Sequence, residues 1–251
     1  MKIDSILILA AGRGTRLKPY TDYLPKSLLP LENTNILRRL IGQSQIFFSG
    51  VKIYINTSYL AEKIIEEVAN CPLVRRPYIL WEKNPLGPSL TVTNHCNRTN
   101  GNVLVLHGDI LFSDLAFSEV ANSINQKTSD VSILLCHQRS LQNARSIINE
   151  KNGLVQSISE VFISDTKKNV LEGDQNKLIW SSSGVMVVKS NSLANFDPGS
   201  GASLSPYLIN YIARREDLHL EKCTGTRISI DNEKSYLEAI EITKNSENLF
   251  D

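Results

Sequence analysis

The chain has 251 residues, 41% hydrophobic and 21% charged, with 27 basic against 26 acidic side chains. That length suffices to bury a core, and the near-zero net charge excludes a nucleic-acid partner gripped through phosphates along its length. No apolar run approaches a membrane span and no charged leader precedes the first strand, so a soluble, cytoplasmic protein without membrane contact is expected. Cys71, Cys96, Cys136 and Cys223 lack metal-ligand spacing and read as small core residues.

Residues 5–10 form an apolar strand, followed at once by Ala11-Gly12-Arg13-Gly14-Thr15-Arg16-Leu17-Lys18-Pro19 and then by Pro25-Lys26-Ser27. Glycines directly after a strand let backbone N–H groups face outward, and two nearby cations make such a turn a cradle for a polyphosphate. Leu17 stands where a dinucleotide fingerprint needs its third glycine, and the Gly-Lys-Ser/Thr ending of a P-loop is absent. The alternative is a plain strand-to-helix turn, with Arg16 and Lys26 as solvated charges.

A helix over 35–48 ends at Gly50. Strands then recur over 51–56, Tyr78–Trp81, Asn102–His107 and 131–136, with helices over 59–69 and 117–125. These strand runs are apolar without alternation, as strands buried on both faces are. The first half therefore predicts an α/β architecture with a doubly wound, mostly parallel sheet. Beyond Cys136 the texture turns polar and β-prone over 145–149, 154–161 and Leu178–Lys189, with turn signals at Lys151-Asn152-Gly153 and Glu172-Gly173-Asp174. That predicts a mixed, partly antiparallel insertion. A helix over 203–214, a strand over 227–230 and an amphipathic helix over 233–244 complete the chain.

His107-Gly108-Asp109 puts a carboxylate at the end of its strand, at the same edge as the Gly12 turn, and Asp231 ends the strand over 227–230. A hard divalent ion takes carboxylate oxygens while bridging substrate phosphates, so the two aspartates are candidate metal ligands. Each also reads as the cap of a turn or of a following helix.

Taken together, Ala-Ala-Gly-x-Gly-Thr-Arg-Leu-x-Pro with the later Pro-Lys resembles the signature of the sugar-1-phosphate nucleotidylyltransferases. In proportions the chain is similar to short members such as the N-acetylmuramate-1-phosphate uridylyltransferases and heptose-1-phosphate guanylyltransferases. The resemblance implies a Rossmann-like single domain, 1–251, with a nucleotide-binding half over about 1–136 and a small β-rich sugar-binding lobe within about 137–251. It implies an enzyme that joins a nucleoside triphosphate to a sugar-1-phosphate, releasing pyrophosphate, in making activated sugars for the bacterial cell envelope. Leu9, Ala10, Ala11, Gly12, Arg13, Gly14, Thr15, Leu86 and Gly87 would bind the nucleotide. Arg16 and Lys26 would be catalytic, Asp109 and Asp231 would hold Mg2+, and Glu160, Ser183 and Gly184 would face the sugar. A monomer or small homo-oligomer is expected.

Three segments depart from the family pattern. Pro88 and Ser89 replace small residues after Leu86-Gly87, Asn232-Glu233 follows Asp231 in place of Gly-Thr, and Val161-Phe162 follows Glu160 in place of Lys-Pro. Lys167 or Lys168 could supply the missing cation. Two rival readings stand beside this one. A cytidylyltransferase for phosphocholine would need an aromatic cage, for which Tyr59, Trp81 and Trp180 are available. A non-catalytic regulator that binds nucleotide sugars would account for the altered segments.

Overall fold

Strand β1 (Ser5–Leu9) is apolar on both faces because it is covered on both: Ile6 and Ile8 enter one core and Leu7 another. The computed structural model describes residues 1–71, 75–141, 144–160, 176–199, 201 and 203–245. After β1 come a β-ribbon, β2 (Pro30–Leu31) and β3 (Thr34–Asn35), and helix α1 (Ile36–Phe47). The Asn35 side chain caps α1 by accepting from Arg38 N at 2.9 Å, an arrangement worth about 1 kcal/mol. Then follow β4 (Lys52–Thr57), α2 (Ala61–Asn70), β5 (Tyr78–Trp81), α3 (Pro88–Arg98), β6 (Asn102–His107), β7 (Ile110–Phe112) and α4 (Asp114–Asn125). The second half contributes β8 (Ser132–Ser140), β9 (Ser146–Lys151), β10 (Leu154–Glu160) and β11 (Leu178–Lys189). A π-helical stretch Leu204–Ile209 runs into α5 (Asn210–Ala213), followed by β12 (Leu218–Lys222), β13 (Arg227–Ser229) and α6 (Glu233–Asn245).

Among the described residues nine strands make one sheet in the order β5-β4-β1-β6-β11-β8-β12-β10-β9. Strands β5, β4, β1 and β6 are parallel, β11 runs against both β6 and β8, β12 is parallel to β8, and β10 is antiparallel to β12 and β9. The expected doubly wound, mostly parallel mixed sheet is thus what forms. The second-half strands extend the same sheet, and β8 sits beyond β11 instead of next to β6. Helices α1, α2, α4 and α6 cover one face, while α3 and the 204–213 helical segment cover the other. Each fully buried Leu or Ile there contributes roughly 1.5–3 kcal/mol.

Two elements escape the apolar pattern. Helix α3 is rich in Ser, Thr, Asn and His, so its helical period is hidden; Pro88 at its first turn is the local start signal. Its polar side chains are satisfied internally, Ser89 Oγ donating to Ser203 O at 2.5 Å and Thr93 Oγ1 to Ser89 O at 2.9 Å. Strand β12 is short and half polar. Just past the bulge of β10, Asn210 stands in for a neighbouring strand, accepting from Ile158 N at 2.8 Å and donating to Ile158 O at 2.9 Å. No helix among the described residues is long and apolar enough to cross a membrane.

The chain returns on opposite sides of β1, to β4 and to β6, so the strand order reverses between β1 and β6. Open α/β sheets bind ligands at the carboxyl ends beside such a reversal.

Candidate active site

The turns after β1 and β6 meet at that reversal. Gly108 N donates to Leu9 O at 2.9 Å, and a Cβ on Gly108 would lie 2.6 Å from the same oxygen. Only glycine permits this approach, and it sets Asp109 against the Gly12 turn. On the other side of β1, Ala10 N donates to Asn56 Oδ1 at 2.8 Å. Gly14 has φ +61°, and a Cβ there would come within 2.9 Å of Thr21 Cγ2, so the second glycine answers to backbone conformation and close packing.

Lys26 follows Pro25 and begins a single 3-10 turn, 26–28, that turns its side chain inward. Its Nζ lies 2.6 Å from Asp109 Oδ2 and 3.5 Å from Asp231 Oδ1. Asp231 arrives through an auxiliary ribbon: β13 pairs antiparallel with β7, and Ile230 N donates to Asp109 O at 3.0 Å. The two carboxylates, 122 positions apart in sequence, are therefore held by one backbone ladder. Neither acts as a helix cap. Ser113 caps α4, and Asn232 Oδ1 accepts from Ser235 N at the start of α6.

Asp231 also has Arg16 Nη2 at 3.5 Å and Arg145 Nε at 3.5 Å, and accepts from Ser229 Oγ at 3.0 Å. Burial raises the Asp109 pKa, but the Lys26 charge, His107 and the hydrogen bond from Lys26 outweigh it, leaving the carboxyl below its ordinary value. Burial drives His107 below its ordinary value, which leaves a neutral ring at pH 7.

A cavity of about 260 Å³ opens here, bounded by Leu9–Gly12, Lys26, Gly87, His107 and Asp109. Sequence reasoning missed the residue that shapes its far wall, Glu82. Its carboxylate accepts from Asn56 Nδ2 at 3.1 Å, Leu86 N at 3.0 Å and Thr91 Oγ1 at 2.5 Å. Through Asn56 it ties the Leu86-Gly87 loop and α3 to the turn after β1. Its position just after β5 was the available signal.

Of the residues expected at the site, Leu9, Ala10, Ala11, Gly12, Gly87, Lys26 and Asp109 meet in this cavity. Asp231 and Arg16 adjoin it through Lys26, and Arg13 stacks its guanidinium over Tyr59 at 5.9 Å. Ser183 does not fit its expected part. It is fully buried, and its hydroxyl donates to Leu135 O at 2.8 Å, because the strand alternation at the β11 bulge turns it inward. Gly184, φ +80°, makes room for Ile110, which a Cβ would strike at 2.1 Å. Glu160 ends β10 opposite Ser146, the neighbour of Arg145. Lys167 and Lys168 lie outside the described residues. Tyr59, Trp81 and Trp180 are not brought together: β4, β1 and β6 separate the strand of Trp81 from that of Trp180, and the Tyr59 hydroxyl is tied to Thr21 O.

The family model for nucleotidyl transferases matches residues 5–160, more than half of the chain. The chain belongs to the nucleotidyl transferase family. Among curated relatives it is 37% identical over 119 residues to the bifunctional protein GlmU of Methanococcus maripaludis, covering 47% of this chain and 28% of that protein. To bifunctional protein GlmU of Buchnera aphidicola it is 27% identical over 196 residues, 76% of this chain and 38% of that one. The matches thus span well under half the length of those relatives. Among solved structures, HddC from Yersinia pseudotuberculosis has a TM-score of 0.73 at 20% identity, covering 96% of this chain and 99% of that one. A putative glucose-1-phosphate thymidylyltransferase from Bacillus anthracis gives 0.75 at 18%, covering 96% and 95%. A UDP-glucose pyrophosphorylase complexed with UDP-glucose gives 0.75 at 16%, covering 97% and 99%. These structures share the transferase's fold from end to end.

Proposed function

We propose that this nucleotidyl transferase moves a nucleoside monophosphate from a nucleoside triphosphate to a sugar-1-phosphate, giving a nucleotide sugar and pyrophosphate. The observation that carries the reading is the convergence of Asp109 and Asp231 on Lys26 at the mouth of the Gly12 cavity. The nucleotide and sugar ligands named for the structural neighbours support it.

A sugar-1-phosphate is largely dianionic near neutral pH, its second pKa lying at about 6, so the nucleophile needs no general base. One of its oxygens forms the new bond at the α-phosphorus. The bond from that phosphorus to the bridging oxygen breaks, and pyrophosphate departs with the electron pair. What remains for the protein is alignment and charge. The Gly12–Thr15 backbone and Arg16 hold the triphosphate, and Lys26 stands between the α-phosphate and the incoming phosphate to counter their repulsion. Leu9, Ala10, Ala11, Leu86 and Gly87 face the base.

Asp109 and Asp231 fit a divalent cation, since both are oxygen donors already gathered about one positive charge. They would hold Mg2+, which when bound would neutralise charge on the phosphates. The work is cytoplasmic in this reading, and the product an activated sugar for cell-envelope polysaccharide.

Pyrophosphate release by the purified protein with magnesium, across the nucleoside triphosphates and a panel of sugar-1-phosphates plus phosphocholine, tests the reading. Release that depends on one triphosphate and one sugar-1-phosphate is the expected result. Release with phosphocholine alone, or nucleotide binding without any release, would overturn it.

A further inference from the structure

We propose that a basic pocket beside Asp231, lined by Arg139 and Arg227 and flanked by Arg145 on Asp231, takes the phosphate of the acceptor substrate; this rests on the transfer reaction above. The pocket is a second cavity of about 520 Å³, bounded by His137, Arg139, Trp180, Lys222 and Arg227. Strands β8 and β12 run in the same direction as β6, so the pocket opens at the same carboxyl edge of the sheet as the Gly12 cavity.

Arg139 and Arg227 have no ion-pair partner among the described residues. Arg227 Nη1 donates to His137 Nε2 at 2.9 Å, and its buried Nε has no hydrogen-bond partner among the described residues. Burial pushes His137 down to about 3, so the ring accepts that bond as a neutral group and offers no counter-charge. Burial and then Arg139 push Arg227 down to about 10, which still leaves it charged at neutral pH. Arg145 reaches the nearest acid, Asp231, which Arg16 and Lys26 already share. Such a set of partly buried guanidinium groups is unfavourable until an anion enters. Planar forks of donors match a phosphate bidentately.

The position selects the acceptor over the triphosphate. In-line displacement puts nucleophile and leaving group on opposite sides of the α-phosphorus. The Gly12 turn and Arg16 follow β1, which lies on one side of β6 in the sheet. Strand β11 separates β6 from β8, so the arginines lie further along the sheet on the other side.

Calorimetric titration with inorganic phosphate tests the pocket without relying on turnover. Arg139→Gln and Arg145→Gln serve as variants because both side chains are partly exposed, and retained melting cooperativity confirms that they fold. Each should weaken phosphate binding roughly ten- to a hundredfold, the loss expected for a charge-assisted hydrogen bond, while Lys63→Gln on α2, away from the site, leaves the titration within threefold. In turnover the same two variants should raise KM for the sugar-1-phosphate by that factor and leave KM for the triphosphate within twofold. Phosphate affinity unchanged in both variants would overturn the proposal. So would a penalty confined to acceptors bearing an added carboxylate, which assigns the pocket to that group. Phosphate binding that depends on the arginines in a protein without transfer activity would keep the anion pocket and remove the transferase reading.

Discussion

Gly108 approaches Leu9 so closely that its N–H donates to the Leu9 carbonyl at 2.9 Å with no room for a side chain between them. This contact closes the end of the crevice between β1 and β6 and fixes where Asp109 begins. Gly108→Ala should push the two turns apart, costing about 1–3 kcal/mol of stability and roughly a hundredfold or more in turnover through displacement of Asp109. Gly12→Ala is the contrast, since a Cβ there meets nothing within 4 Å; it should melt like the parent. Urea unfolding and pyrophosphate release measured on both variants check the pair, and a fully active Gly108→Ala protein would refute the argument.

Lys26 holds two carboxylates at once, with only 13% of its side chain exposed. Lys26→Met leaves both acids without their shared cation and Asp109→Asn removes one of them, so each should lower turnover roughly a hundredfold or more. Lys26→Met should also cost about 1–3 kcal/mol, since it strands a partly buried charge. Adding Asp109→Asn to it should restore part of that stability and none of the activity. Turnover within threefold of the parent in either single variant would remove that residue from the reaction.

Much of this site was legible because its residues stand at strand ends. The runs that became β1 and β6 placed the Gly12 turn and Asp109 at one edge, and the Pro25-Lys26 pair came from motif spacing alone. Pairing Lys26 with both aspartates was not legible, since it depends on the β7–β13 ribbon, whose two three-residue strands are too short to carry a pattern. Helix α3 was hidden by its hydroxyl-rich surface, and with it the anchoring of Thr91 on Glu82. The inward turn of the Ser183 hydroxyl was not legible, because it lies at the bulge between Ser182 and Met186, where the register shifts.

Glu82 is a positioning residue: it gathers Asn56, Leu86 N and Thr91 at one carboxylate. Glu82→Ala should loosen the Leu86-Gly87 loop against the turn after β1 and raise KM for the triphosphate roughly tenfold or more, with kcat falling less. Glu82→Gln keeps an acceptor for one or two of the three donors and should fall between. Measuring both constants separates this from a general loss of structure, which would lower the fraction of active protein and leave KM alone. An unchanged KM in Glu82→Ala would dispose of the role.

His95 carries the acid sensitivity of the α3 face. Its ring packs on Tyr54 at 4.7 Å and its Nε2 lies 3.1 Å from Ser5 Oγ. Burial, with a smaller push from Arg98, takes its pKa from 6.5 down to about 4. Between those two values the unfolded chain binds a proton that the folded chain refuses, so stability rises with pH across that window. The contribution is full above pH 6.5 and is lost as pH falls toward 4, amounting to about 3 kcal/mol at most. His95→Gln removes the titration, so its unfolding free energy should fall less steeply between pH 6.5 and 4 than that of the parent, whatever its value at pH 7.5. Parallel urea-unfolding series at several pH values give the two slopes, and equal slopes would show that protonation of His95 does not oppose folding.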